Sequence, residues 1–356
     1  MKYGENSNSE KALIYLENSF LKELLEDEDI TDISFNGDTI YYVHNFLGRR
    51  KSDIYFTSEM AKDFLRQLAN LSEKQFSYQS PLLNISVANY RINGVFNSIG
   101  RLQNKKVYTF TIRKASLVPR IHMNSPFLTK ELISLFRTLL NNKISIIISG
   151  VTGSGKTELQ KFLISLLKEN TRVIIIDEVL ELDNLNDTNY LDMNIWQTDV
   201  NTNAQQLVRN ALRSNPDWLI VSESRGEEML DVLNSSMTGH PIITTIHSVD
   251  VSSIPDRVSA MVMMNEKKME KNNIINDFVH HIPIGIYLKK IETDRGEVKR
   301  IISDIAEFKS DGDINKIYEF KNNEHKYFKI SQRLKSLIDV SLCEPLFVNT
   351  FIKEGT

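Results

Sequence analysis

The second half of the chain alternates short apolar runs with stretches in which apolar residues recur at helical spacing. Short runs rich in β-branched residues are typical of strands that are buried on both faces of a parallel sheet. Because these runs alternate with helical stretches, the pattern predicts an α/β fold in which helices cover a parallel sheet. The apolar runs lie at residues 144–149, 173–176, 218–221 and 242–246.

The first half of the chain mixes helical and strand-like patterns. An amphipathic helix is predicted at residues 9–26, where apolar side chains form one stripe. A second helical stretch covers residues 58–71, and strand-like segments lie at residues 30–35, 39–43 and 107–112. This mixture predicts an α+β domain.

The boundary between the halves is marked by prolines. Residues 114–126 contain Pro119 and Pro126 and show no sustained period, which is typical of a connection between domains. The sequence therefore predicts a smaller α+β N-terminal domain at residues 1–117, a linker at 118–126 and an α/β domain at 127–356.

A glycine-rich loop follows the first apolar run of the second half. It has the form G-x-x-x-x-G-K-T and lies between a predicted strand and a predicted helix. The glycines let backbone N–H groups surround phosphate oxygens, while Lys156 can reach the β- and γ-phosphates and the Thr157 hydroxyl can ligate Mg²⁺. The alternative is an ordinary glycine-rich turn, but such a turn would not require a strand before it and a helix after it. The predicted nucleotide-binding residues are Gly150, Val151, Thr152, Gly153, Ser154, Gly155, Lys156, Thr157 and Glu158.

Polar side chains follow the other three apolar runs. Asp177 and Glu178 follow one run, Ser222 and Glu223 follow the next, and His247 follows the last. A single glutamate after a strand is usually a solvated loop residue. Because ligands of open α/β sheets bind beyond the carboxyl ends of the strands, we expect these side chains to converge on the phosphate loop.

Composition restricts the compartment and the partners. The chain has 356 residues, a net charge of −3, a single cysteine and no apolar run of membrane-spanning length. Its N-terminus is polar without a signal-peptide core, so we expect a cytoplasmic protein. The scattered aromatic residues offer no platform for stacking bases, and we expect no sequence-specific nucleic-acid binding. His280 and His281 lack a cysteine or carboxylate at ligand spacing, which favours a strand edge over a metal site.

Several segments resemble the type II/type IV secretion traffic ATPases, which are hexameric motors of secretion, conjugation and pilus systems. The similarity is carried by residues 211–226, 238–240 and 244–247, and in the first half by residues 30–37, 90–93 and 111–114. The compact N-terminal region is more similar to the type IV secretion branch. The resemblance implies a RecA-like phosphate-loop ATPase domain that binds ATP and Mg²⁺.

The resemblance also implies roles for individual residues. Asp177, Glu178 and Glu181 match an acidic box that positions Mg²⁺ and the attacking water. Glu223 matches the Walker B glutamate that polarises this water, and His247 matches a residue that senses the γ-phosphate. The implied metal-binding residues are Thr157, Glu178 and Glu223.

Four arginines complete the implied site. Arg91 and Arg113 match arginines of the N-terminal domain that reach the nucleotide, and Arg209 and Arg213 match the family's arginine-bearing segment before Walker B. Since Arg209 and Arg213 are four residues apart, they share a predicted helix face that could reach a neighbouring subunit. A solvated face with internal ion pairs is an equal alternative.

Three departures from the family pattern leave other functions open. Ser222 stands where the family usually has glycine, the order Asp177-Glu178 reverses the common Glu-Asp, and the spacing from His240 to His247 is closer to that of pilus motors. The first two departures leave open a nucleotide-gated scaffold without hydrolysis. A type IV pilus or type II secretion motor and a nucleic-acid translocase on a RecA-like core are further alternatives.

The resemblance finally implies an assembly. We expect a homo-hexamer that works with proteins of a membrane-embedded secretion or conjugation apparatus. A peripheral contact with the cytoplasmic face of the membrane is compatible with this arrangement.

Overall fold

The chain forms two units. The computed structural model describes residues 8–116, 118–178, 180–183, 185, 188, 190–199, 201–265, 269–293, 295–309 and 313–353. The first unit lies within residues 1–117 and 291–299, and the second within residues 118–290 and 300–356. Residues 291–299, which the sequence assigned to the C-terminal domain, thus pack with the N-terminal unit. The predicted boundary residue 117 lies outside the described residues.

The first unit is an antiparallel sheet with helices. The sheet has the strand order β3-β2-β1-β8-β5-β4. The predicted helix at residues 9–26 is interrupted by a turn after Glu17, which divides it into two helices. The elements are α1 (Asn8–Glu17), α2 (Lys22–Glu26), β1 (Ile30–Phe35), β2 (Ile40–His44), β3 (Gly48–Lys51), α3 (Ser58–Leu71), β4 (Leu82–Val87), β5 (Tyr90–Val95), β6 (Arg101–Leu102), β7 (Lys105–Lys106) and β8 (Thr109–Lys114).

Aromatic residues form much of the core of this unit. The rings of Phe20 and Phe56 stack with centroids 3.9 Å apart, and Phe35 and Phe110 contact Phe56 edge-on. Phe64 of α3 contacts both Phe20 and Phe110. Burial of these large side chains between the helices and one sheet face stabilises the unit.

The second unit contains a nine-stranded sheet. Its order is β11-β10-β12-β13-β9-β14-β15-β16-β17. The strands from β11 to β14 pair in parallel, and β15, β16 and β17 are antiparallel neighbours. The elements are α4 (Lys130–Asn141), β9 (Ile146–Gly150), α5 (Lys156–Ser165), β10 (Arg172–Ile176), β11 (Asp192–Trp196), α6 (Ala204–Ala211), β12 (Trp218–Val221), α7 (Met229–Met237), β13 (Ile242–Ile246), α8 (Ile254–Val262), α9 (Lys271–His281), β14 (Ile284–Glu292), β15 (Val298–Phe308), β16 (Ile314–Lys321), β17 (Glu324–Tyr327), α10 (Gln332–Leu337) and α11 (Pro345–Phe347).

The parallel strands are buried on both faces. Ile146 and Ile148 of β9 enter one apolar core, and Ile147 between them enters the other. This alternation explains why the strand sequences are continuously apolar. Since β9 lies beside β13, the phosphate loop and the residues after β13 are adjacent at the carboxyl edge of the sheet.

One sequence-based prediction about this unit is wrong. His280 and His281 form the last turn of α9 and are not at a strand edge. Their Nδ1 atoms lie 3.1 Å and 2.8 Å from the carbonyl oxygens of Asn276 and Asp277, one helical turn earlier. Among the described residues, no helix is long and apolar enough to cross a bilayer.

Candidate nucleotide-binding site

The phosphate loop connects β9 to α5. Gly150 ends the strand, and Lys156 begins the helix. A Cβ atom at Gly150 would lie 2.5 Å from both the Leu288 carbonyl oxygen and the Ser154 Oγ, a separation that real Cβ atoms do not tolerate. Glycine is therefore required at this position because the backbone of β14 and the Ser154 side chain approach it closely.

Lys156 is folded onto its own loop. Its Nζ donates to the Gly150 carbonyl at 3.0 Å and to the Val151 carbonyl at 3.4 Å. The same atom lies 3.4 Å from Nδ1 of His247, and the Lys156 side chain is buried. These contacts hold the ammonium group beside the loop, where a phosphate group would replace the carbonyl oxygens as its partner.

The loop suits a polyphosphate ligand. The Ser154 hydroxyl is buried and has no hydrogen-bond partner among the residues that the structure describes. The loop backbone also precedes the N-terminus of α5, where helix N–H groups and the helix dipole favour an anion. Mg²⁺ prefers carboxylate and hydroxyl oxygens, which Glu178, Glu223 and the partly buried Thr157 provide at this edge.

Glu223 lies at the centre of a cluster of charged side chains. Its Oε2 accepts from Nη2 of Arg225 at 2.7 Å, and its Oε1 lies 2.8 Å from Nε2 of His247. Burial raises the pKa of the Glu223 carboxyl, but Arg225, His247 and Lys156 together outweigh this effect and hold the pKa below its usual value. Glu223 is therefore ionised at neutral pH.

His247 has the opposite electrostatic balance. Burial lowers the pKa of its imidazole, and the positive charge of Lys156 lowers it further, while Glu223 acts to raise it. The net pKa lies below the usual value for histidine, so the ring is neutral at pH 7. A neutral ring can either donate or accept a hydrogen bond near the phosphate loop.

The acidic box separates into buried and exposed carboxylates. Asp177 is completely buried, and its Oδ2 accepts from the backbone N–H of Leu182 at 2.7 Å. Glu178 is exposed and lies 3.6 Å from Nη1 of Arg225, and Glu181 is partly buried. The Asp177 carboxylate thus contacts the backbone of its own loop, and its implied role next to metal and water stays a prediction.

The side chain of Glu158, which is predicted to belong to the nucleotide-binding segment, is engaged by two neighbouring groups. Its Oε2 accepts from the Arg120 N–H at 2.6 Å, and its Oε1 binds the Nζ of Lys161 at 3.0 Å. The Lys161 side chain is only 1% exposed, so Glu158 neutralises a buried cation. The side chain of Glu158 is thereby directed to the protein, and only its backbone remains as a candidate phosphate donor.

The two arginines before β12 are not equivalent. Arg209 on α6 binds Asp231 of α7 in a two-point ion pair, with N···O distances of 2.8 Å and 3.1 Å. Arg213 lies beyond the end of α6, in a 3₁₀ turn, and is exposed. Arg209 therefore forms an internal ion pair, which is the alternative given above. Arg213 is the candidate for contact with a neighbouring subunit.

Arg91 and Arg113 face each other within the first unit. Arg91 lies on β5 and Arg113 on β8, and they are register partners in the antiparallel ladder. Arg113 is also paired in register with Asp32 of β1, and it is exposed. The two arginines thus form one basic position on the sheet of this unit.

Sequence reasoning did not select Arg225 as a site residue. It lies two residues after Glu223, within the segment that carried the resemblance, and it contacts both Glu223 and Glu178. The closeness of this arginine in sequence to the predicted catalytic Glu223 could have identified it.

Ser222, the departure from the family pattern, is accommodated in the sheet. Its N–H donates to the Ile176 carbonyl, and its own carbonyl accepts from Thr245 Oγ1 at 2.7 Å.

Comparisons with known proteins agree with this geometry. Residues 120–281 match the model of a family described as "Type II/IV secretion system protein". An uncharacterized protein of Bacillus anthracis is 25% identical over 318 residues, which cover 86% of this chain and 71% of the relative. The type IV secretion system protein VirB11 of Bartonella quintana is 26% identical over 217 residues, which cover 59% of this chain and 60% of VirB11. The match thus spans less than two thirds of the length of VirB11.

A solved structure confirms the fold class. The ATPase DotB of Legionella pneumophila superposes with a TM-score of 0.60 and 20% identity, over 79% of this chain and 78% of DotB. At this identity the likeness concerns the fold. The predicted fold class, an α/β domain of RecA-like type accompanied by a smaller α+β domain, is confirmed.

Proposed function

We propose that this chain, which belongs to the type II/type IV secretion ATPase family, hydrolyses ATP to drive a motor of a type IV secretion or conjugation system. The observation that carries the proposal is a continuous series of contacts at the carboxyl edge of the sheet. It links the phosphate-loop lysine to His247, His247 to Glu223, and Glu223 through Arg225 to Glu178. Such a series joins phosphate binding to the group that would act on water.

The residues of the second unit divide the work of phosphoryl transfer. The loop and Lys156 bind and orient the phosphates, which is most of what this reaction requires from a protein. Ionised Glu223 accepts a hydrogen bond from the attacking water and orients it. Neutral His247 lies between Lys156 and Glu223, and so responds to the presence of the γ-phosphate. Bound Mg²⁺, held by Thr157 with Glu178 or Glu223, would neutralise phosphate charge.

We further propose that the active enzyme is a homo-hexamer. Arg213 is exposed and, unlike Arg209, has no role in the ion pair with Asp231. An arginine supplied by a neighbouring subunit can stabilise the charge of the transition state. Arg91 and Arg113 would reach the phosphates from the first unit in a closed state.

The proposal extends to location and partners. We propose a cytoplasmic ATPase that contacts membrane-embedded proteins of the apparatus. The relative named as a type IV secretion system protein, VirB11, supports the link to a secretion apparatus. The pilus motor remains an alternative on the basis of the histidine spacing.

One assay tests the proposal against its alternatives. ATP turnover of the purified protein is measured with Mg²⁺ alone, with single-stranded DNA and with anionic lipid vesicles. Turnover that is independent of DNA supports the secretion motor, whereas strong stimulation by DNA would favour a translocase. A protein that binds ATP but never hydrolyses it would be a nucleotide-gated scaffold, and the motor proposal would fail.

A further inference from the structure

An arginine that is distant in sequence contacts the phosphate loop from the side. Arg300 lies on β15, and its Nε donates to the Gly153 carbonyl oxygen at 2.7 Å. The Cδ of Arg300 lies 3.7 Å from the position that a Cβ atom would take at Gly155. The residue thus lies alongside the loop between its second and third glycines, although it is 147 residues away in sequence.

The backbone at Gly153, which Arg300 contacts, is only weakly restrained by other side chains. Gly153 is exposed, has a φ of +73°, and no atom lies within 4 Å of the position of a Cβ there, apart from its chain neighbours. A glycine in such an open position has wide conformational freedom, which must be lost when phosphates bind. The hydrogen bond from Arg300 reduces that freedom before the ligand arrives.

The bond restrains one particular peptide group. The Gly153 carbonyl and the Ser154 N–H belong to the same planar unit. Arg300 binds the carbonyl, and the Val151 carbonyl accepts from the Ser154 N–H at 3.1 Å. The orientation of this peptide is therefore determined from both sides, and with it the direction of the loop backbone that would surround a phosphate group.

We infer that Arg300 is a positioning residue of the phosphate loop, which fixes the Gly153 peptide and places a permanent positive charge beside the bound diphosphate. The inference rests on the proposed function, because it concerns the same nucleotide site. An ionised donor makes a stronger hydrogen bond to a carbonyl than a neutral donor, and arginine stays ionised at any physiological pH.

This role predicts a specific pattern of effects. A residue that acts through the loop influences the ligand groups that the loop binds, which are common to ADP and ATP. Its removal should therefore weaken both nucleotides equally and raise KM, while kcat changes little, because binding is lost equally in the ground state and the transition state.

Nucleotide binding to three variants of the full chain tests the inference. Arg300→Ala removes the donor and the charge, Arg300→Gln keeps a neutral N–H donor, and Arg300→Lys keeps a charged donor. Lys299→Ala is the matched control, since it removes a neighbouring cation from the same strand, and adjacent strand residues point to opposite faces. Calorimetry with Mg-ADP, with a non-hydrolysable ATP analogue and with pyrophosphate gives the affinities, and steady-state hydrolysis gives KM and kcat.

The expected result is a graded loss. Arg300→Ala should weaken all three ligands by about tenfold, which is the lower range for losing one hydrogen bond to a charged group. Arg300→Lys should recover most of this loss, Arg300→Gln less, and Lys299→Ala should behave like the parent. Circular dichroism shows whether each variant is folded, and the Lys and Gln variants decide the question if the Ala variant is not.

Two results would overturn the inference. Unchanged affinities in Arg300→Ala and Arg300→Gln would show that the contact with Gly153 does not organise the loop. A loss restricted to the ATP analogue would show that Arg300 acts on the γ-phosphate and not through the loop. A parent protein that binds none of the three ligands would instead refute the proposed function, so the two failures are distinguishable.

Discussion

Arg225 binds the carboxylate of Glu223 with an Nη2 to Oε2 distance of 2.7 Å, and its Nη1 lies 3.6 Å from Glu178. A single guanidinium group thus neutralises two of the carboxylates that would have to approach water and metal. In this arrangement Glu223 is ionised but already engaged. Arg225 therefore holds the carboxylate that we propose to orient the attacking water.

The first prediction concerns pH. Arg225 makes the largest contribution that lowers the pKa of Glu223, so Arg225→Ala should raise this pKa. The basic form of Glu223 exists above its pKa, and the acid limb of the kcat profile should move to higher pH. The profile of Arg225→Lys should lie closer to that of the parent because it retains a cation. An acid limb that stays in place would show that Arg225 does not control the ionisation of Glu223.

The second prediction concerns Lys156. Its Nζ donates to the loop carbonyl of Gly150 at 3.0 Å, and Lys156→Ala should abolish tight ATP binding by removing the main partner of the β- and γ-phosphate charge. Calorimetry with Mg-ATP measures the effect. Lys168→Ala, which removes an exposed cation just beyond α5, should bind like the parent. Equal ATP affinity of Lys156→Ala and the parent would contradict the assignment of the site.

The third prediction separates binding from chemistry. Glu223→Gln keeps the size of the side chain but removes the negative charge that orients water. ATP should still bind, while hydrolysis should fall by about 10²–10⁴-fold, the range for a positioned acid–base group. Binding and turnover are measured on the same preparation. If this variant hydrolyses ATP at the parent rate, the exposed Glu178 becomes the better candidate.

The fourth prediction concerns the first unit. Arg113 is an exposed strand residue, so Arg113→Ala should change the thermal unfolding temperature little. The rate of ATP turnover should fall, because we propose that this arginine contacts phosphate in a closed state. Lys105→Ala, which removes an exposed cation on β7, is the control and should affect neither measurement. Full turnover of Arg113→Ala would leave this arginine without a catalytic role.

The fifth prediction distinguishes Arg209 from Arg213. Arg209→Ala should lower the unfolding temperature, since it leaves the buried Asp231 without its two-point partner. Arg213→Ala should leave stability unchanged but reduce hydrolysis, because an arginine in trans contributes about 10³–10⁵-fold in related enzymes. Mixing Arg213→Ala with Lys156→Ala subunits should restore part of the activity.

This mixing experiment also tests the ring. Some interfaces of a mixed hexamer pair an intact loop with an intact arginine, and specific activity of the parent should rise with protein concentration as rings form. Activity that is independent of concentration, together with no complementation, would refute both the hexamer and the arginine in trans.

The sequence by itself determined the elements that depend on local pattern. The phosphate loop, the apolar strands and the polar residues that follow them could be read from residue order, because parallel strands buried on both faces are continuously apolar and end at one edge. The helix at residues 9–26 was overestimated, since a period in apolar residues does not reveal a turn such as the one after Glu17.

Only the tertiary structure decided how side chains were paired. Asp177 and Glu178 are adjacent in sequence, yet one is enclosed and the other exposed, because burial depends on the chain that folds over them. Arg209 and Asp231 are brought together by the packing of α6 on α7. Arg300 and Gly153 are 147 residues apart and come together because β15 follows β9 and β14 in the strand order. No local sequence pattern predicts a contact over that separation. Contacts between residues distant in sequence are determined by which elements pack together, which residue order does not specify.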